Sequence, residues 1–92
     1  MADSKPKITE VWGRIRSLEG ELFVTKTGKE FTYSIEGFGL RPSRTDYTIS
    51  RSNFQTALEL APLGGPGEIN DLVRGPSYVW AILHDARIRK GW

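Results

Sequence analysis

The spacing of apolar residues changes once along this chain, near residue 50, and that change limits the folds open to it. Up to Ile49 the apolar residues alternate with polar ones, the period of a half-buried strand. Beyond it, Phe54, Ala57, Leu58 and Ala61 fall at i, i+3, i+4, i+7, the period of an amphipathic helix. Strands first and helices second predict an α+β domain, and 92 residues suffice for one modest core.

Within the first half, Thr9 to Ser17 alternates Val11, Gly13 and Ile15 against Trp12, Arg14 and Arg16, which predicts a first strand. Glu21 to Lys26 is rich in β-formers, Thr27-Gly28 supplies a turn, and Glu30 to Glu36 returns with Phe31, Tyr33 and Ile35 on one face. These segments predict a β-hairpin. Leu40 to Arg44 reads as a polar basic loop, and Asp46 to Ile49 as a short fourth strand beside the hairpin.

In the second half, Ser50 or Ser52 is the natural N-cap of the helix carrying Phe54, and Pro62 ends that helix. Glu68 to Val73 offers Ile69, Leu72 and Val73 as the stripe of a short helix. Gly75-Pro76 restarts the chain into a last helix, anchored by Val79, Ile82, Leu83 and Ala86 and ending near Ile88. The expected architecture is an N-terminal antiparallel sheet of three to four strands, including the hairpin, followed by three helices packed on it. Residues 1–7 are expected to form a flexible tail and residues 8–92 the single α+β domain.

Chemistry is sparse. The absence of cysteine excludes a disulfide framework, a thiolate zinc site and a cysteine nucleophile. His84 is the only histidine and has no evident partner for base catalysis. Gly64-Gly65-Pro66-Gly67 lacks the lysine and hydroxyl residue of a P-loop, and its proline removes an N–H donor. No catalytic residue, metal ligand or cofactor is therefore expected, and the chain reads as a non-enzyme. It has no apolar run of membrane-spanning length and no signal-peptide core at its start, so it is expected in the cytoplasm.

Charge is the more informative feature. The net charge is +2, the whole excess lies in residues 38–92, and arginine outnumbers lysine there six to one. Arginine suits bidentate contacts to phosphate. Arg41, Arg44, Arg51 and Asn53 sit among hydroxyl residues before and at a predicted helix start, the ingredients of a phosphate clamp. Arg74 lies between the last two predicted helices, and Lys26 and Lys29 lie at the hairpin tip.

Residues 69–89, two short helices around Arg74-Gly75-Pro76, resemble helix-turn-helix DNA-binding domains. The hairpin with Lys26 and Lys29 resembles the wing of a winged-helix protein, although the hairpin here precedes the helices. The predicted second helix departs from the pattern, being almost wholly apolar from Tyr78 to Leu83. In general type the chain is similar to small orphan proteins of bacterial mobile elements, such as integron cassettes and phages, among which homo-oligomers are common.

These features leave three expectations. The first is a non-catalytic protein binding double-stranded DNA mainly through backbone phosphates, with a dimer as its expected form. The second is a homo-oligomeric protein-interaction module that uses Trp12, Tyr78, Trp80 or Trp92 as contact residues. The third is a small-ligand binder or enzyme.

Overall fold

A computed structural model describes residues 6–90 and Trp92. Most of the expected 1–7 tail lies outside the described residues. Lys7 belongs to the fold instead, its carbonyl accepting from the N–H groups of Glu10 and Val11 as the N-cap of a helix.

That helix, α1 (Ile8–Ser17), replaces the strand expected over Thr9 to Ser17. The spacing of Val11 and Ile15 fits both a strand face and a helix face, because four residues are two strand repeats and nearly one helical turn. Trp12 separates the two. On a strand it would point away from Val11, whereas on a helix Ile8, Val11, Trp12 and Ile15 share one stripe. Val11 and Ile15 are fully buried and Trp12 is 5% exposed. Glu10 in the first turn and Arg14 and Arg16 in the last complement the helix dipole.

The strands form two small antiparallel sheets rather than one. β1 (Phe23–Val24) pairs with β2 (Glu30–Phe31), with Phe23 opposite Phe31. Its turn closes on Thr25, whose N–H donates to Lys29 O while its Oγ1 accepts from Lys29 N–H. β3 (Tyr33–Glu36), β4 (Gly39–Pro42) and β5 (Ile49–Ser50) form the second sheet in that order. The expected strand over Glu30 to Glu36 keeps Phe31 and Tyr33 buried but changes partner at Thr32. There the backbone turns to Ser43: Thr32 N–H donates to Ser43 Oγ at 3.0 Å and Ser43 N–H to Thr32 O at 2.8 Å.

The basic loop expected over Leu40 to Arg44 is in its first half strand β4. Leu40 is fully buried and pairs with Ile35 and Ile49. A two-residue turn at Gly37-Phe38 makes this possible. Gly39 could carry no side chain, because a Cβ there would lie 2.5 Å from Ile49 O.

α2 (Arg51–Leu60) follows β5 directly and buries Phe54, Ala57 and Leu58 as expected. Ser50 is its N-cap, but no side-chain cap bond forms. The helix expected over Glu68 to Val73 is instead a 3-10 turn, Pro66–Ile69, followed by irregular turns. Ile69 enters the core while Leu72 is 55% exposed. α3 (Pro76–Leu83) begins after Gly75 in the left-handed conformation and ends before the expected Ile88, with Ala86 exposed. Its Val79, Ala81, Ile82 and Leu83 are buried. The accessible surface of 5104 Å² is close to the value of about 5,400 Å² expected for a folded chain of this mass.

Candidate nucleic-acid interface

The basic residues divide by what the fold gives them to bind. Arg41 lies on the exposed face of the three-stranded sheet, its Nε 3.0 Å from Glu36 Oε2. Arg44, in the connection after β4, donates Nε–H to Glu30 O at 2.7 Å. Lys26 is exposed but engaged within the chain: its ammonium donates to Gly64 O and sits 5.6 Å from the centre of the Trp80 ring. Lys29 stays exposed at the hairpin turn.

Three of the expected residues come together at the start of α2. Asn53 Nδ2 donates to Ser50 Oγ at 2.9 Å, and its Oδ1 accepts from Arg74 N–H at 3.0 Å. One amide side chain thus ties the N-cap to the segment leading into α3. Arg51 occupies the first turn beside it, its N–H donating to Phe38 O at 2.7 Å. The Arg74 guanidinium stacks 4.8 Å above the Tyr47 ring. Stacking uses the face of the guanidinium and leaves its N–H edge available to an anion. Among the described residues, Arg44, Arg51 and Arg74 make no ion pair with a carboxylate.

Gly75 fixes this geometry. Its φ is +59°, and a Cβ would meet Ile49 Cδ1 at 2.7 Å and Tyr47 Oη at 3.2 Å. The close approach lets Arg74 reach Tyr47. Burial, and then the neighbouring Tyr78, raise the Tyr47 phenol above its ordinary value against the opposing charge of Arg74.

The aromatic residues expected at an interface are engaged mainly within the chain. Trp12 lies in the core, 5.5 Å from the Phe54 ring. Tyr78 is half-buried and meets the Phe31 ring edge-on at 5.0 Å. Trp80 donates Nε1–H to Leu63 O at 3.1 Å and stacks on His84 at 5.1 Å, and Trp92 meets His84 edge-on at 5.6 Å. The exposed apolar residues are others: Phe38, 81% exposed at the β3–β4 turn, with Leu22, Val24, Leu60 and Leu72.

The sequence marks neither Phe38 nor Thr32 as a contact residue, whereas Tyr47 stands among the hydroxyl residues between Arg44 and Arg51. A Gly-Phe-Gly stretch between two alternating segments is a readable hairpin signal for Phe38. The partnership of Tyr47 with Arg74 depends on a contact between distant segments and leaves no local trace.

Fold and surface together define a small α+β protein in which Arg51 opens α2 and Asn53 ties the Arg74 backbone to that turn. This chain matches no protein-family model, no curated protein and no solved structure. No helix among the described residues is long and apolar enough to cross a membrane.

Proposed function

We propose that this chain is a non-catalytic protein that binds double-stranded DNA through backbone phosphates, with Arg51 and Arg74 central and Arg44 contributing. The observation that carries the reading is the Asn53 bridge. It ties the Arg74 backbone to the first turn of α2, where Arg51 lies, and among the described residues no carboxylate pairs with either guanidinium. Helix N–H groups and arginine edges are the donors that phosphate oxygens accept. In this reading Lys26 contributes little, being occupied by Gly64, and Arg41, paired with Glu36 on the three-stranded sheet, is not counted among the contacts of the Arg51–Arg74 surface.

Fluorescence anisotropy with a labelled random duplex, titrated at several salt concentrations, tests it. Three phosphate contacts give a log–log salt slope of about −2.7, and Arg51→Gln with Arg74→Gln reduces that to about −0.9. Absence of binding at micromolar protein and low salt would end the proposal.

Phe38 favours a second reading, a homo-oligomer or protein-interaction module. A phenyl ring 81% exposed at a turn is available to anchor in a partner's pocket. Light scattering of the wild type and Phe38→Ser separates the two: a concentration-dependent oligomer lost in the variant, without duplex binding, selects this alternative.

A further inference from the structure

A polar cleft of about 280 Å³ opens at the base of the β3–β4 hairpin, away from the turn that holds Phe38. Its side chains include the hydroxyls of Thr32, Ser34, Ser43 and Thr45, and among the described residues Arg41 is the only charged one lining it. The strand register builds it. Ser34 pairs with Arg41, which places the two side by side on the solvent face of the sheet. The exchange of hydrogen bonds between Thr32 and Ser43 closes the end of the hairpin beneath them.

Arg41 is paired with a neighbour on the adjacent strand. Nε is held by Glu36 Oε2, while Glu36 Oε1 accepts from Thr48 Oγ1 at 3.1 Å. One edge of the guanidinium is therefore committed, and its two terminal amino groups make no bond to the described residues. The Thr32 and Ser34 hydroxyls likewise have no partner among the described residues. The cleft thus combines a guanidinium paired on one side with Glu36 and hydroxyls without a partner among the described residues, and no carboxylate is among the described residues that line it.

We propose that this cleft is a binding site for a tetrahedral oxyanion, a phosphate or phosphate ester, held by Arg41 with Thr32 and Ser34. A tetrahedral anion presents acceptor oxygens in several directions, which suits donors converging from two strands and a loop. The planar carboxylate of Glu36 is already spent on Arg41 and Thr48. A volume just below the ~300–1,000 Å³ of sites for drug-sized ligands matches a small group. The site is separate from the Arg51–Arg74 surface, and its ligand could be a free phosphate, a phosphomonoester or a backbone phosphodiester.

The test follows amide resonances of the whole chain during titration with inorganic phosphate and, in parallel, dimethyl phosphate, each against sodium chloride at matched ionic strength. Saturable shifts confined to residues 32–34 and 41–45 are expected. Arg41→Gln should weaken them by at least about tenfold, the loss of a charge-assisted bond. Arg41 is exposed and outside the core, and unchanged resonances elsewhere verify that the variant is folded. Response to inorganic phosphate alone assigns a free phosphate or monoester, and response to dimethyl phosphate assigns the backbone diester. No saturable shift with either, an equal shift with chloride, or an unaltered response in Arg41→Gln overturns the proposal. Duplex binding is measured separately, so failure of the DNA reading leaves this result intact, and the reverse.

Discussion

His84 carries a pH dependence that follows from its two hydrogen bonds. Nε2 accepts from Leu63 N–H at 2.9 Å, and Nδ1 lies 3.1 Å from Trp80 O, an atom that can only accept. The ring is therefore neutral with its proton on Nδ1, and a second proton would abolish the bond to Leu63. Burial lowers the His84 pKa, the Trp80 carbonyl opposes that, and the positive charge of Arg89 adds to it. The unfolded chain takes up this proton near the ordinary value of about 6.5, the folded chain at a lower pH. Between those values the unfolded state binds more protons, so stability is fully present above about pH 6.5 and is lost as pH falls. Urea midpoints should drop between pH 7.5 and pH 5, and His84→Gln should flatten that dependence. An equal slope in the variant would show that other groups set it. Gly75 is the other residue whose role is local. Ala there must adopt a left-handed φ and displace Ile49, so Gly75→Ala should cost roughly 1–3 kcal/mol by denaturant unfolding.

At the scale of elements, a buried hydroxyl ties α1 to the second sheet. Tyr33 donates Oη–H to Ile15 O at 2.6 Å, satisfying one of the carbonyls that every helix leaves open at its end. Tyr33→Phe keeps the ring contacts with Phe23 and leaves that carbonyl only the longer bond from Leu18 N–H at 3.3 Å, so thermal or urea unfolding should show a loss of about 0.5–1.5 kcal/mol. The helical elements differed in how far the sequence exposes them. The stripe of Phe54, Ala57 and Leu58 admits only one period, and α2 was legible. Val11 and Ile15 satisfy two periods, and only the burial of Trp12 beside Phe54 decides for α1. β4 was hidden because Arg41, Ser43 and Arg44 gave its surroundings a loop composition, while its buried Leu40 is a single residue. The candidate surface divides the same way. Arg51 and Asn53 at a helix start are visible in the sequence, because capping chemistry is local. The union of Asn53 with Arg74 spans 21 positions and is set by the close packing of Gly75 on Ile49. The Arg41–Glu36 pair depends on strand register, which alternation alone does not specify.

At the scale of the whole molecule, the segment after α3 fastens the first half of the chain to the second. Ile88 is fully buried, and its carbonyl accepts from Arg14 Nη1 at 2.8 Å, joining this segment to α1. Arg87 crosses to the first sheet, stacking 4.4 Å over Phe23 and donating to Leu22 O at 2.7 Å. Burial works to raise the Asp85 carboxyl, but its bonds with Arg87 outweigh burial and hold it below its ordinary value. The apolar part of this fastening is the larger, since Arg87 is partly exposed and solvent screens its charge. Ile88→Ala removes buried methyl groups from the core and should cost about 2–5 kcal/mol. Against the roughly 5–15 kcal/mol of a typical domain that is a large fraction, and at about 4–8 °C per kcal/mol it lowers Tm by at least about 8 °C. Arg16→Gln, an exposed change on the same first helix, should stay within about 0.5 kcal/mol of wild type. If Ile88→Ala unfolds no earlier than Arg16→Gln, the terminal segment lies on the core without contributing to it. Loss in the first variant alone means that residues 85–90 are part of one cooperative unit with α1 and β1.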